Sequence, residues 1–284
     1  MTTSQSIFAT SSTVSSDGTS ITYRTAGAAD ARPLVLVHGW AQSSQSWGFE
    51  LLSELAQHYR VVALDMRGHG LSDVAEKGYD DPRQWADDVA AVLDSAGIGE
   101  GSGALLLGWS YGGAVAADYV AHHGEAALGG VVLVGAVTGL SRSPGAAAGP
   151  AMKKVLTEGG LDADPAKATA AFAEFGEGLW HGGDDVDRQR TLGISLATPP
   201  QVRKALFGQK VDNDETLKGM TTPALIVHGA RDEVVPPETG RANAETIPDS
   251  TYVEFAESAH VPFLEQRAEF VAALAEFAGR LSPA

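Results

Sequence analysis

Short apolar runs punctuate the chain. Pro33-Leu34-Val35-Leu36-Val37, Arg60-Val61-Val62-Ala63-Leu64, Ala104-Leu105-Leu106-Leu107 and Val131-Val132-Leu133-Val134 fall in the first half. Ala224-Leu225-Ile226-Val227 and the looser Thr251-Tyr252-Val253-Glu254-Phe255 come late. Runs this short, with little polar alternation, mark strands buried on both faces. Between them lie segments of helical spacing, at 47–57, 82–96, 111–122 and 264–280. In the second of these, Trp85, Val89, Val92 and Leu93 recur among Asp87, Asp88 and Asp94. Strands alternating with helices predict an α/β fold, with a mostly parallel central sheet and helices on both faces. The N-terminal part reads differently. Residues 7–14 and 19–26 are rich in Thr, Ser and Ile and meet across Ser16-Asp17-Gly18, which predicts an antiparallel hairpin.

The alternation stops between residues 139 and 218. Gly145-Ala146-Ala147-Ala148-Gly149-Pro150 reads as a loose connector, followed by helical stretches near 151–158, 165–180, 186–196 and 200–207. No buried-strand run interrupts them. The expected organisation is a core domain of residues 1–138 and 219–284, with residues 139–218 inserted as a helical cap over one end of the sheet.

Composition narrows the functional classes. The formal net charge is −16, opposite to the basic footprint of a nucleic-acid binder. The absence of cysteine removes disulfides, thiolate metal sites and a thiol nucleophile. No apolar stretch approaches the roughly 20 residues of a membrane span. Met1-Thr2-Thr3-Ser4-Gln5-Ser6 has neither a basic start nor an apolar run, so no Sec signal is expected and a cytoplasmic protein is the default. His122-His123 are adjacent rather than four apart, and no H-E-x-x-H occurs. No metal and no organic cofactor is expected, and the partner expected is a small-molecule substrate.

Gly108-Trp109-Ser110-Tyr111-Gly112 matches G-x-S-x-G. The pattern alone is weak in a chain with 33 glycines. Its position adds weight, because it directly follows the 104–107 strand and directly precedes a helix, as a nucleophile elbow must. Such a turn would lift the Ser110 hydroxyl above the sheet edge beside a helix N-terminus, where developing negative charge is favoured. An oxyanion needs a second backbone donor from the loop after the first buried strand. Val37-His38-Gly39-Trp40 makes the Trp40 N–H the candidate, partnered by that of Tyr111. His38 is read as shaping the loop through backbone bonds. An acid and a base should follow later strands in the order Ser, Asp, His. Asp232, in Val227-His228-Gly229-Ala230-Arg231-Asp232-Glu233, and His260, in Glu257-Ser258-Ala259-His260-Val261-Pro262, satisfy that order. Glu233 is the nearest rival to Asp232. Trp40, Trp109 and Tyr111 are candidate pocket residues, with Phe172, Phe175, Leu179 and Trp180 as a candidate roof whose alternative role is simple packing.

With these segments and Asp65-Met66-Arg67-Gly68-His69-Gly70-Leu71-Ser72, the chain resembles the α/β-hydrolase superfamily throughout. His38-Gly39-Trp40, the Gly-Trp-Ser-Tyr-Gly-Gly elbow and Thr198-Pro199-Pro200 are most similar to the branch of cofactor-free haloperoxidases (perhydrolases) and aryl esterases. The resemblance implies the α/β-hydrolase fold, cleavage of a small, partly apolar ester through an acyl-enzyme, and a peracid-forming side reaction with hydrogen peroxide. It also implies a structural role for Asp65 and His69, otherwise a tempting acid–base pair. Epoxide hydrolases and haloalkane dehalogenases carry Asp where Ser110 stands. C–C bond hydrolases, lactonases and hydroxynitrile lyases retain the serine and stay open as alternatives, as does a non-catalytic ligand-binding role.

Overall fold

A computed structural model describes residues 8–139 and 148–282. The N-terminal hexapeptide and residues 145–147 of the predicted connector lie outside the described residues. In chain order the elements are β1 (Ala9–Val14), β2 (Ser20–Ala26), β3 (Pro33–Val37), α1 (Phe49–Leu55), β4 (Arg60–Leu64), α2 (Pro82–Ser95), β5 (Ala104–Trp109), α3 (Tyr111–His123) and β6 (Leu128–Val134). Then come α4 (Pro150–Glu158), α5 (Pro165–Leu179), α6 (Asp185–Ala197), α7 (Pro200–Ala205), α8 (Asp214–Gly219), β7 (Ala224–Gly229), α9 (Pro237–Thr246), β8 (Ser250–Phe255), α10 (Pro262–Glu265) and α11 (Arg267–Arg280).

The strands form one eight-stranded sheet in the order β1-β2-β4-β3-β5-β6-β7-β8. β1 and β2 make the predicted antiparallel hairpin, β2 meets β4 antiparallel, and every later pairing is parallel. β3, β5 and β7 are buried along their whole length, which is why their sequences carry no polar alternation. This is the α/β-hydrolase fold. Strand register sets where the functional loops emerge. Val37 is level with Gly108, Trp109 with Val134, Val134 with Val227, and Gly229 with Phe255. The loops after β3, β5, β7 and β8 therefore leave the sheet at one edge, the carboxyl edge where α/β folds bind ligands.

Helix α2 follows its predicted stripe, burying Trp85, Val89, Val92 and Leu93. Asp81 caps it by accepting the Arg83 N–H, and Pro82 opens its first turn. Several boundaries differ from expectation. The 47–57 helix is a 3₁₀ turn at Ser44–Trp47 and then α1, parted at Gly48, which has φ +74°. The 264–280 helix is broken at Gln266, whose side-chain oxygen accepts the Glu257 N–H and the Ser258 hydroxyl. Its backbone, at φ −121° and ψ 54°, is outside the helical region and separates α10 from α11. Helix α9 buries only Gly240 and Asn243, so its sequence carries no apolar stripe to announce it. The short α8 packs against α3 and α9. Among the described residues, no helix is long and apolar enough to cross a membrane.

Candidate active site

Ser110 sits between β5 and α3 with φ +56° and ψ −120°. Only one other non-glycine among the described residues has a positive φ: Ala41, beside Trp40. An L-residue held there costs on the order of 1–3 kcal/mol, so the fold must over-determine the conformation. It does so through the backbone. The Ser110 N–H donates to the Val134 carbonyl at 3.0 Å, and its carbonyl accepts from Gly113 N–H at 2.9 Å and Val137 N–H at 3.0 Å. The turn is also closed sterically. A Cβ at Gly112 would stand 2.2 Å from the Val37 carbonyl oxygen, so any side chain there would push α3 off β3.

The backbone N–H groups of Trp40 and Tyr111 find no acceptor among the described residues. The Tyr111 N–H is one of the donors that the first turn of a helix leaves unpaired. Both residues border the same cavity as Ser110. The Trp40 indole donates to the Arg203 carbonyl at 2.9 Å and stacks on Phe172 with ring centroids 5.5 Å apart. Its ring thus ties the loop after β3 to the helices inserted between β6 and β7.

Asp232 and His260 come together behind this cavity. The His260 Nδ1–H donates to Asp232 Oδ2 at 2.7 Å, which leaves Nε2 as the basic nitrogen. The other carboxylate oxygen, Oδ1, accepts the N–H groups of Val234 at 2.8 Å and Val235 at 2.9 Å. Burial works to raise the Asp232 carboxyl, but the imidazoles of His260 and His228 outweigh it and bring it down to about 2. Gly135, at the end of β6, makes the room. A Cβ there would lie 3.0 Å from His260 Nδ1 and 3.2 Å from Asp232 Oδ2. The loop carrying His260 is held from two sides, by the Trp109 indole donating to its carbonyl at 2.9 Å and by its own N–H donating to the Leu179 carbonyl at 3.1 Å. Glu233, the rival acid, is exposed, and its backbone carbonyl accepts the N–H of Ala151.

His228 enters the sequence reading only as part of the motif leading to Asp232. It is fully buried at the end of β7, and its Nε2 lies 2.9 Å from the Val235 carbonyl and 3.2 Å from Asp232 Oδ2. Two acceptors at Nε2 place the proton there, and Nδ1 is left buried without a partner. The one signal in the sequence is a histidine four residues before Asp232; its burial and its aim belong to the tertiary structure.

The cavity bordering Ser110 and His260 has a volume of about 710 Å³. Trp40, Trp109 and Tyr111 line it from the core; Met152, Leu156, Phe175, Leu179 and Leu206 line it from the inserted helices. Phe172 and Trp180 do not. Phe172 lies behind Trp40, and Trp180 is buried against Gly183, whose Cβ would stand 2.8 Å from its ring. The inserted segment is moored to α3 by Asp118, which accepts from Gln209 Nε2 at 2.8 Å and Asn213 Nδ2 at 3.0 Å. Burial raises the Asp118 carboxyl to about 6 against those two hydrogen bonds.

The Asp65 segment forms a separate cluster. Asp65 Oδ1 accepts the Ser44 N–H at 2.6 Å and Oδ2 the Leu71 N–H at 3.0 Å. His69 donates to the Arg67 carbonyl at 2.9 Å rather than to Asp65. His38 donates from Nδ1 to the Gly39 carbonyl at 2.8 Å and accepts the Met66 N–H at Nε2 at 3.0 Å, so it does shape the loop through backbone bonds.

A family model for the alpha/beta hydrolase family matches residues 34–274. The chain belongs to that family. Among curated relatives, this hydrolase is 32% identical to the bifunctional esterase/perhydrolase DCH of Acinetobacter calcoaceticus, over 84% of this chain and 88% of the relative. It is 31% identical to a non-heme chloroperoxidase of Streptomyces lividans, over 83% of this chain and 87% of that one. Among solved structures, the esterase RhEst1 from Rhodococcus sp. ECU1013 superposes with a TM-score of 0.92 at 45% identity, covering 96% of this chain and 99% of that one.

Proposed function

We propose that this hydrolase cleaves carboxylic esters through an acyl-enzyme on Ser110, with His260 as base and Asp232 as its orienting acid. The observation that carries the reading is the 2.7 Å bond from His260 Nδ1 to Asp232 Oδ2 behind a cavity bordered by Ser110. With its Nδ1 proton held by the carboxylate, His260 offers Nε2 to the serine proton. The Ser110 oxygen attacks the ester carbonyl. The resulting oxyanion is received by the N–H groups of Trp40 and Tyr111, each such donor being worth about 3–4 kcal/mol. The alkoxide leaves with the proton carried by His260. Water, deprotonated in turn by His260, then attacks the acyl carbon; the tetrahedral intermediate collapses, the proton returns to Ser110, and the acid is released. The esterase names of the relatives support ester cleavage. Hydrogen peroxide in place of water would give a peracid from the same acyl-enzyme, in keeping with the perhydrolase name of the Acinetobacter relative. Residues 139–218 act in this reading as the cap that selects acyl and alcohol groups.

The test is a screen of p-nitrophenyl esters with short and medium acyl chains, combined with labelling by a fluorophosphonate. Turnover and labelling are expected for the native protein. Ser110→Ala should abolish both, with turnover falling by about 10⁶-fold where nucleophile and base act as a unit. Equal turnover in the variant would refute the assignment.

A further inference from the structure

The polar groups of the cavity wall are not equally available to a ligand. Gln42 accepts from the Ser46 hydroxyl and donates to that of Ser195. Gln209 accepts from the Tyr111 hydroxyl and donates to Asp118. Both amides and the phenol are therefore taken up inside the protein. Ser110 and His260 belong to the reacting centre. What remains in the lining is apolar apart from Lys153 and Lys210.

These lysines are exposed, so they stand at the mouth of the cavity. Lys153 makes no ion pair among the described residues, whereas its neighbour Lys154 on α4 pairs with Glu174. Lys210 Nζ forms a long ion pair with Asp212 Oδ2 at 3.9 Å, too far for a hydrogen bond, so most of its donor capacity is open. No described Asp or Glu lines the cavity, although the chain carries 36 acidic residues against 20 Lys and Arg. Outside the reacting centre, a strongly acidic protein thus presents an apolar chamber whose polar side chains free of hydrogen bonds are two ammonium groups, Lys153 without an ion pair and Lys210 in a long one with Asp212.

We propose that the cavity takes an ester whose apolar body ends in a carboxylate, and that Lys153 and Lys210 recognise that carboxylate at the mouth. A half-ester of an aliphatic dicarboxylic acid is the simplest member of the class. An ammonium only donates, so its partner is an acceptor, and the stronger bond goes to an anion. A singly charged carboxylate suits isolated ammonium groups. A phosphate dianion calls for a nest of backbone donors or an arginine fork, and no arginine lines this wall among the described residues. The cavity volume of about 710 Å³ is ample for such a chain. That the bond cleaved is an ester rests on the function proposed above; recognition of the anion does not.

The test measures binding separately from chemistry. In the Ser110→Ala protein, affinities for monoethyl adipate and ethyl hexanoate are determined by calorimetry. The same pair is then measured after adding Lys153→Gln and Lys210→Gln. Removing both ammonium groups should lower affinity for the half-ester relative to the neutral ester by about five- to tenfold, the scale of exposed ion pairs. Lys153→Arg with Lys210→Arg should restore most of the difference. A ratio that does not move overturns the inference, whatever Ser110 does. A ratio that falls as expected, in a protein whose native form hydrolyses neither ester, supports the inference and overturns the ester-hydrolase reading alone.

Discussion

Two buried clusters in this molecule use the same parts, one carboxylate and two imidazoles, for different ends. In the first, His260 and His228 both aim a nitrogen at Asp232 Oδ2, at 2.7 and 3.2 Å. In the second, Asp65 takes backbone N–H groups of Ser44 and Leu71, while His38 and His69 give their protons to backbone carbonyls. The first cluster leaves a basic nitrogen beside a cavity. The second uses its polar atoms mainly to hold turns together, with His69 Nε2 buried and unpartnered. Residue type alone therefore does not tell a reactive site from a structural one. The partners do, because a side-chain carboxylate held against an imidazole changes what that imidazole can do with a proton, whereas a backbone carbonyl fixes where the ring sits.

The contrast can be broken most sharply at the carboxylates. Asp232→Asn should lower kcat on a p-nitrophenyl ester by up to about 10⁴-fold, because an amide can no longer hold His260 in the Nδ1–H tautomer. Asp65→Asn should lower the urea midpoint while leaving kcat of the folded protein near native. A comparable kcat loss in both variants would dissolve the distinction.

The second histidines come next. His228→Leu removes a donor to a buried carboxylate, worth about 1.5–3 kcal/mol, so kcat should fall about 10- to 100-fold with little change in KM. His69→Gln should leave kcat in place. If His228→Leu changes only stability, His228 is packing and nothing more.

Acid stability separates the clusters in a different way. Burial lowers His38 to about 4, and burial together with the neighbouring His38 lowers His69 to about 3. In the unfolded chain both titrate near 6.5. The unfolded state therefore binds more protons below that pH. The stability these rings contribute is complete above about pH 6.5 and is lost as pH falls toward about 4 and then 3. The urea midpoint of the native protein should decline between pH 7 and pH 4.5, and His69→Gln should flatten that decline. A decline as steep in His69→Gln as in the native protein would contradict a buried neutral His69; the opposing contribution of Asp118, raised to about 6, is common to both proteins.

The smallest effect concerns the cap aromatics. Phe175→Ala should raise KM for a medium-chain ester about fivefold, the equivalent of roughly 1 kcal/mol of lost apolar contact. Trp180→Phe should leave KM within experimental scatter, because Trp180 lies against Gly183 rather than in the cavity wall. A KM shift from Trp180 equal to that from Phe175 would place it back in the binding surface.

The features legible in the chain are the local ones. Strands buried on both faces announce themselves as unbroken apolar runs, so β3 to β7 could be read directly and the parallel sheet with them. Ser110, Asp232 and His260 were legible because strand-to-loop transitions are local, and a parallel sheet delivers all of them to one edge. Helix α9 was not, because a surface helix that buries only a glycine and an asparagine carries no periodic signal. The division between Phe175 and Trp180 was not legible either. Both are aromatic residues of the same inserted segment, and only the packing of α5 against Trp40 decides which of them meets the cavity.

The sequence by itself thus determined the order of strands and helices, the elbow and the residues that could act there, since each is written in near-neighbour chemistry. Tertiary structure alone decided which histidine meets which carboxylate, that His228 joins Asp232, and that Lys153 and Lys210 flank one apolar chamber. Those pairings join residues from separate elements, and no local pattern encodes the direction in which a side chain points once the chain has folded back on itself.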